Sequence, residues 1–115
     1  MGSSIAYFLS AHPQGRPIRI WVVEPDPTYA RSSTALSVGG IRQQFSTPEN
    51  IKLSLFSAEF FRNAGEALAV EGGSPVLGFR EDGYLFLATA AGLHILERNH
   101  ALQLLLIVKL EKLFP

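Results

Sequence analysis

The 115-residue sequence contains no cysteine. That removes disulfides, thiolate metal sites and cysteine nucleophiles from consideration. Its three histidines, His12, His94 and His100, lack the spacing of a metal-ligand set and read as structural. Net charge is missing as well, since ten Lys and Arg balance ten Asp and Glu. A neutral chain without a basic stripe has no electrostatic footprint for nucleic acid. Long hydrophobic runs are also absent. The longest, Leu104–Val108, is far below the ~20 residues of a bilayer span, so no transmembrane segment is expected. Met1–Ser10 has neither the positive start nor the apolar stretch of a targeting signal, and no transit peptide is expected within the chain. No internal repeat or low-complexity segment stands out.

What is present demands a core. Hydrophobic residues make up 47% of the chain and charged residues 17%, a globular balance for one small domain or part of a larger one. Ile5, Phe8 and Leu9 fall on one helical face, so Ser3–Ala11 is expected to be a helix, stopped by Pro13 and Gly15. Ile18–Val23 is a nearly continuous β-branched and aromatic run, the pattern of a strand buried on both faces of a parallel sheet, with Trp21 packed in the core. It ends at Glu24-Pro25, where proline removes a ladder donor. Periodicity then fades from Asp26 to Thr47, and a stretch this long without periodic structure is often functional. A second helix is expected from Pro48. Ser46 or Thr47 caps it, Glu49 completes a capping box with Ser46, and Ile51, Leu55, Phe56, Phe60, Ala64 and Leu68 recur at helical spacing. Gly72-Gly73 closes it. Leu77–Arg80 and Tyr84–Ala88, joined through Asp82-Gly83, are expected to form a hairpin. A last helix is expected from Ala91 to about Gln103, and the tail beyond it suits helix or strand equally.

Two features could carry chemistry. An acidic side chain at the end of a buried strand can accept hydrogen bonds from both hydroxyls of an adenosine ribose. In dinucleotide-binding folds it stands about twenty positions after the glycine motif. Gly2 and Glu24 have that separation, although a solvated loop glutamate explains Glu24 alone equally well. The second feature is the stretch Arg31–Arg42, RSSTALSVGGIR. Paired glycines admit close approach of a flat ring or phosphate, hydroxyls and amides satisfy pyrophosphate oxygens, and arginine adds charge-assisted bonds. On composition alone a flexible polar loop fits the same residues. Arg42 reads equally as a structural cation or a functional one.

SSIAYFLS, IRIWVVEPD, SSTALSVGGIRQQFSTPENIKLSLFSAEFFRN and FREDGYLFLA occur here in an order that resembles the D-amino-acid-oxidase-like FAD-dependent oxidoreductases. That family includes sarcosine and dimethylglycine oxidoreductases. The resemblance implies an α/β fold: an incomplete Rossmann-like FAD-binding region over 1–75, then the start of an antiparallel substrate-domain sheet over 76–115. It implies that Gly2 is the last glycine of the dinucleotide motif and that Glu24 binds the ribose. Arg31, Ser32, Ser33 and Thr34 would lie near the pyrophosphate and ribityl chain, and Ser37, Gly39 and Gly40 against the isoalloxazine ring. Some relatives bond flavin covalently through a histidine at the Ser37 position. Serine cannot form that link, so non-covalent FAD is expected. The implied activity of the full-length parent is oxidation of a small secondary or tertiary amine, with a hydride passing to the flavin and no catalytic residue assignable here. One branch of the family implies instead a mitochondrial flavoprotein that works on respiratory complex I assembly intermediates, with FAD mainly structural.

The sequence departs from that family at both ends. The first strand and leading glycines of the motif are expected to lie before Met1, and most of the substrate domain after Pro115. Without that strand and turn, the pyrophosphate lacks its main cradle of backbone donors. The chain as given is therefore expected to be a truncated form that retains little FAD on purification and has no amine oxidase activity.

Overall fold

The computed structural model describes residues 1–12, 18–106 and 108. Two compact units emerge, Met1–Gly39 and Gly40–Pro115. The sequence-based division falls elsewhere, between 75 and 76. Contacts explain the placing of the observed boundary. Phe61 stacks on Phe79 with centroids 5.8 Å apart, and Arg62 pairs with Glu81, so the 79–81 stretch is fastened to the long helix that precedes it.

In the first unit, α1 spans Gly2–Ala11, as the apolar spacing predicts. Its first bond runs from the Ile5 amide to the Met1 carbonyl at 3.0 Å. Tyr7 and Phe8 meet edge to face at 5.2 Å. No residue of α1 is buried; Ile5, Phe8 and Leu9 of its apolar face remain exposed among the described residues. The stop signals at Pro13 and Gly15 lie outside the described residues.

The expected strand Ile18–Val23 is not one in this structure. Residues 18–24 carry neither helix nor sheet ladder, and Trp21 is 84% exposed instead of packed. A parallel strand exists only through neighbours bonded on its edges, and among the described residues nothing pairs with this run. The expected hairpin fails to form a ladder for the same reason. Gly83 does adopt a turn-like φ of 80°, yet the residues around it pair with no strand. Among the described residues the one β-bridge joins Val70 to Gly73. Its two bonds, 3.0 and 2.8 Å, close a turn whose central residues Glu71 and Gly72 both have positive φ, 46° and 80°, as a type I′ turn requires.

The second unit is built on α2, Pro48–Arg62, α3, Ala64–Ala67, and α4, Leu93–Leu105, with a 3₁₀ turn at Ala90–Gly92 leading into α4. Pro48 opens α2 as its missing N–H permits, and Thr47 holds the cap position in an extended conformation. The capping box does not form: α2 has no side-chain cap hydrogen bond, and its first bond uses the Thr47 carbonyl, to the Ile51 amide at 3.1 Å. The helix ends at Asn63, whose side-chain amide bonds back to the Glu59 carbonyl at 3.0 Å and the Glu59 carboxylate at 2.9 Å. At Gly65 the chain folds close upon itself. Ser74 Oγ donates to the Gly65 carbonyl at 2.6 Å, and a Cβ on Gly65 would lie 3.0 Å from that oxygen.

α2 packs against α3 and α4. The buried residues are Ile51, Ala58, Ala64, Val108 and Gln103. Ile51 and Ala64 come from the apolar stripe read in the sequence, whereas Phe56 on that stripe is 57% exposed. The tail from 109 onward lies outside the described residues.

Candidate functional site

In the first unit, the stretch after Glu24 is folded on its own hydrogen bonds. Glu24 Oε1 accepts the Asp26 amide at 3.1 Å. Asp26 Oδ1 in turn accepts the Thr28 hydroxyl at 2.6 Å and the Thr28 amide at 3.0 Å. These bonds favour the ionised carboxylate, so the Asp26 carboxyl is held below its ordinary value, chiefly by the Thr28 hydroxyl. Successive turns follow: Tyr29 amide to Asp26 carbonyl, Ser32 amide to Tyr29 carbonyl, and Leu36 amide to Ser32 carbonyl, at 3.0 to 3.1 Å. Tyr29 sits at φ 57° to make this path. Ser32 Oγ accepts the Ala35 amide at 3.1 Å. Ser37 Oγ donates to the Thr34 carbonyl at 2.9 Å and accepts the Gly39 amide at 3.1 Å. The aperiodic stretch is thus a chain of Asx- and serine-type turns, built by short polar side chains that bond their own backbone.

The predicted site residues of this unit divide by what their polar groups already do. Ser32 Oγ and Ser37 Oγ take part in the turns, and the Ser32 hydroxyl keeps its proton, and Ser37 a lone pair, for a further partner. Arg31, Ser33 and Thr34 are exposed and present donors for phosphate oxygens. Glu24 uses one oxygen on Asp26, and a carboxylate keeps further lone pairs for two ribose hydroxyls. Gly39 has φ 71° with no atom within 4 Å of where a Cβ would stand, leaving that face of the backbone open to a flat ring. Gly2 is the first residue of α1, and a Cβ there would likewise meet nothing within 4 Å; close packing at Gly2 is not exercised among the described residues. These residues fit a dinucleotide: acceptors where hydroxyls are expected, donors and a cation where phosphates are.

Gly40 begins the second unit, and its surroundings were not foreseen. Tyr84 lies so close that a Cβ on Gly40 would collide with its hydroxyl oxygen. Arg42 finds no carboxylate among the described residues. Its guanidinium lies over the Phe45 ring, 4.5 Å from the centroid, and 5.9 Å from that of Phe86, where the ring quadrupoles attract it. The backbone at Phe45 is fixed from α4, since Gln103 Nε2 donates to its carbonyl at 2.9 Å. The alternation of Tyr84 and Phe86 after the Asp-Gly turn is the one sequence signal that could have pointed to these aromatics. Among the described residues no three His, Asp or Glu gather where they could hold a metal ion, and no helix is long and apolar enough to cross a membrane.

Comparison with known proteins sets these residues in a family. A family model described as FAD dependent oxidoreductase matches residues 1–114, and the chain belongs to that family, whose cofactor is FAD. It is 56% identical over 105 residues to the FAD-dependent oxidoreductase domain-containing protein 1 of Bos taurus, covering 90% of this chain and 22% of that protein. The protein of the same name from Xenopus laevis is 49% identical over 125 residues, 100% of this chain and 25% of its own length. The Drosophila melanogaster homolog is 45% identical over 103 residues, 90% and 19% respectively. The chain therefore spans between about a fifth and a quarter of the length of these curated relatives. No solved structure matches it.

Proposed function

We propose that this chain forms part of the FAD site of an oxidoreductase that acts, in its full-length parent, on small secondary or tertiary amines. The observation that carries the reading is the family match across residues 1–114, joined to an exposed loop whose groups suit the cofactor part by part. Bound FAD supplies the hydride acceptor. The chain's own residues bind and orient it: Glu24 the ribose, Arg31, Ser32, Ser33 and Thr34 the phosphates and ribityl chain, and Ser37, Gly39 and Gly40 the ring. Holding a cofactor by such contacts is non-covalent, since no histidine stands at Ser37. Residues 18–23 as the sheet strand leading to Glu24, in a Rossmann-like region, and residues 77–88 as the start of a substrate-domain sheet belong to the same proposal.

The test is equilibrium titration of the full-length parent with FAD, followed by flavin fluorescence, then anaerobic addition of sarcosine or dimethylglycine and observation of the visible flavin band. Saturable binding weakened by Glu24→Ala supports the site. Bleaching of the band supports the amine. A full-length parent that never binds FAD refutes the site assignment.

A second reading follows from the family resemblance given above, one branch of which implies a different role. It is a mitochondrial flavoprotein that serves respiratory complex I assembly, with FAD mainly structural. Tight FAD without bleaching by any amine, together with co-purification of complex I subunits, favours it over the first.

A further inference from the structure

We propose that Tyr84 is a positioning residue for the Gly40–Arg42 stretch, acting through the Gly40 backbone; its bearing on flavin rests on the reading of Gly40 given above. The two adjacent glycines are glycine for different reasons. Gly39 has φ 71° and open space around it, so its backbone conformation excludes a side chain. Gly40 has no positive φ, and its conformation would admit alanine. What excludes a Cβ there is the Tyr84 hydroxyl oxygen, while the ring carbons Cζ and Cε1 stand at 3.4 and 3.9 Å. Those are ordinary contact distances. A side chain at residue 40 therefore requires the Tyr84 phenol to move.

The Tyr84 side chain is itself 47% exposed, but the segment that carries it is tied down. Glu81 is tied to Arg62 of α2 by bonds of 2.6 and 3.2 Å, Phe79 stacks on Phe61, and two residues beyond Tyr84 the Phe86 ring lies beside the Arg42 guanidinium. The segment carrying Tyr84 is anchored to a helix on one side and to the Gly40–Phe45 stretch on the other. The phenol thus reports the position of residues 79–86 directly to the backbone read as facing the flavin ring, and it does so at the one residue without a side chain to absorb a shift.

A substitution cycle tests this in the full chain: Gly40→Ala, Tyr84→Phe and the double variant, beside Gly39→Ala with and without Tyr84→Phe. Three quantities are measured: the thermal midpoint, the backbone amide NMR shifts of residues 39–45, and FAD affinity. Gly40→Ala is expected to lower the midpoint, move the amide shifts and weaken FAD. The double variant is expected to recover all three, because removing the hydroxyl leaves the new methyl at van der Waals distance. Gly39→Ala is expected to stay impaired in either background. Gly40→Ala tolerated alone, or no recovery in the double variant, overturns the coupling. Recovery of midpoint and shifts with FAD affinity indifferent to every variant overturns the role toward flavin. FAD affinity is read in the full-length parent; if the unaltered parent binds no FAD, the flavin reading fails, while midpoint and shifts still decide whether Tyr84 positions residue 40.

Discussion

Arg62 grips Glu81 with two parallel bonds, Nη2 to Oε1 at 2.6 Å and Nε to Oε2 at 3.2 Å, across 19 residues of sequence. Its remaining nitrogen reaches Glu59 at 2.7 Å. The fork geometry is one that lysine cannot copy. Arg62→Lys and Arg62→Ala are both expected to lower the thermal midpoint by a few degrees at low salt and by less at high salt, since the groups are solvent-accessible. Melts followed by circular dichroism at two salt concentrations check this. A loss independent of salt would assign the effect to packing of the arginine stem.

The same cluster makes acid stability depend on Glu59. Its carboxyl lies below the ordinary 4.5, held there first by the Asn63 amide and second by Arg62. A carboxyl depressed in the folded state contributes stability that is fully present above its unfolded value. That contribution is lost as pH falls through the folded value. The loss is therefore expected below about pH 4.5, not near neutrality. Asn63→Ala should raise the Glu59 titration midpoint toward the ordinary value, which carboxyl NMR reads directly. An unmoved midpoint would contradict the assigned cause.

Ile51 is fully buried, and it lies where α2 meets its neighbours. Ile51→Ala is expected to cost about 2–5 kcal/mol, and Ile51→Val about 0.5–1.5 kcal/mol. Urea unfolding monitored by helical circular dichroism measures both. Equal costs would show that the site collapses around the truncation.

Gln103 is the one buried polar side chain among the described residues, and its amide supplies the hydrogen bond at the Phe45 carbonyl. Gln103→Leu keeps similar bulk but leaves that carbonyl without its donor, at a cost of about 1–3 kcal/mol. The amide shifts around Arg42 and Phe45 should move with it. A neutral substitution would mean that water replaces the amide at this position.

These outcomes mark what the sequence discloses and what it conceals. Gly2–Ala11, Pro48–Arg62 and Leu93–Leu105 are legible because a helix bonds only to itself, so spacing and Pro48 place them, although the predicted stop of the second helix at Gly72-Gly73 falls ten residues past its end at Arg62. Ile18–Val23 was not, because composition records that a run is apolar without recording what bonds its edges. The family resemblance places Ser32 and Ser37 beside the cofactor but says nothing of what their hydroxyls bond within the chain. Only the structure shows their oxygens turned onto the loop's own amides. Tyr84 escaped notice because its partner, Gly40, lies 44 residues earlier and has no side chain to suggest a contact.

Glu24 provides the sharpest check on cofactor binding. In the full-length parent its loss should remove two charge-assisted bonds to the ribose, each worth about 1.5–3 kcal/mol, and FAD affinity should fall by about a hundredfold or more. Glu24→Gln, which keeps an acceptor without the charge, should fall between. Titration with FAD compared against flavin mononucleotide separates the sources: the shorter ligand has no adenosine ribose, so its affinity should be indifferent to Glu24.

The exposure of Trp21 has a consequence for every spectroscopic study of this molecule. It is the sole indole in the chain, and at 84% exposure it already stands in water. Its emission is therefore expected near that of a free indole in the native state and to shift little on denaturation. Because Trp21 belongs to the Met1–Gly39 unit, intrinsic fluorescence will be nearly blind to the melting of α2 and α4. It is well placed, though, to sense any partner or neighbouring strand that covers residues 18–23, where a blue shift would be the first sign of the contact.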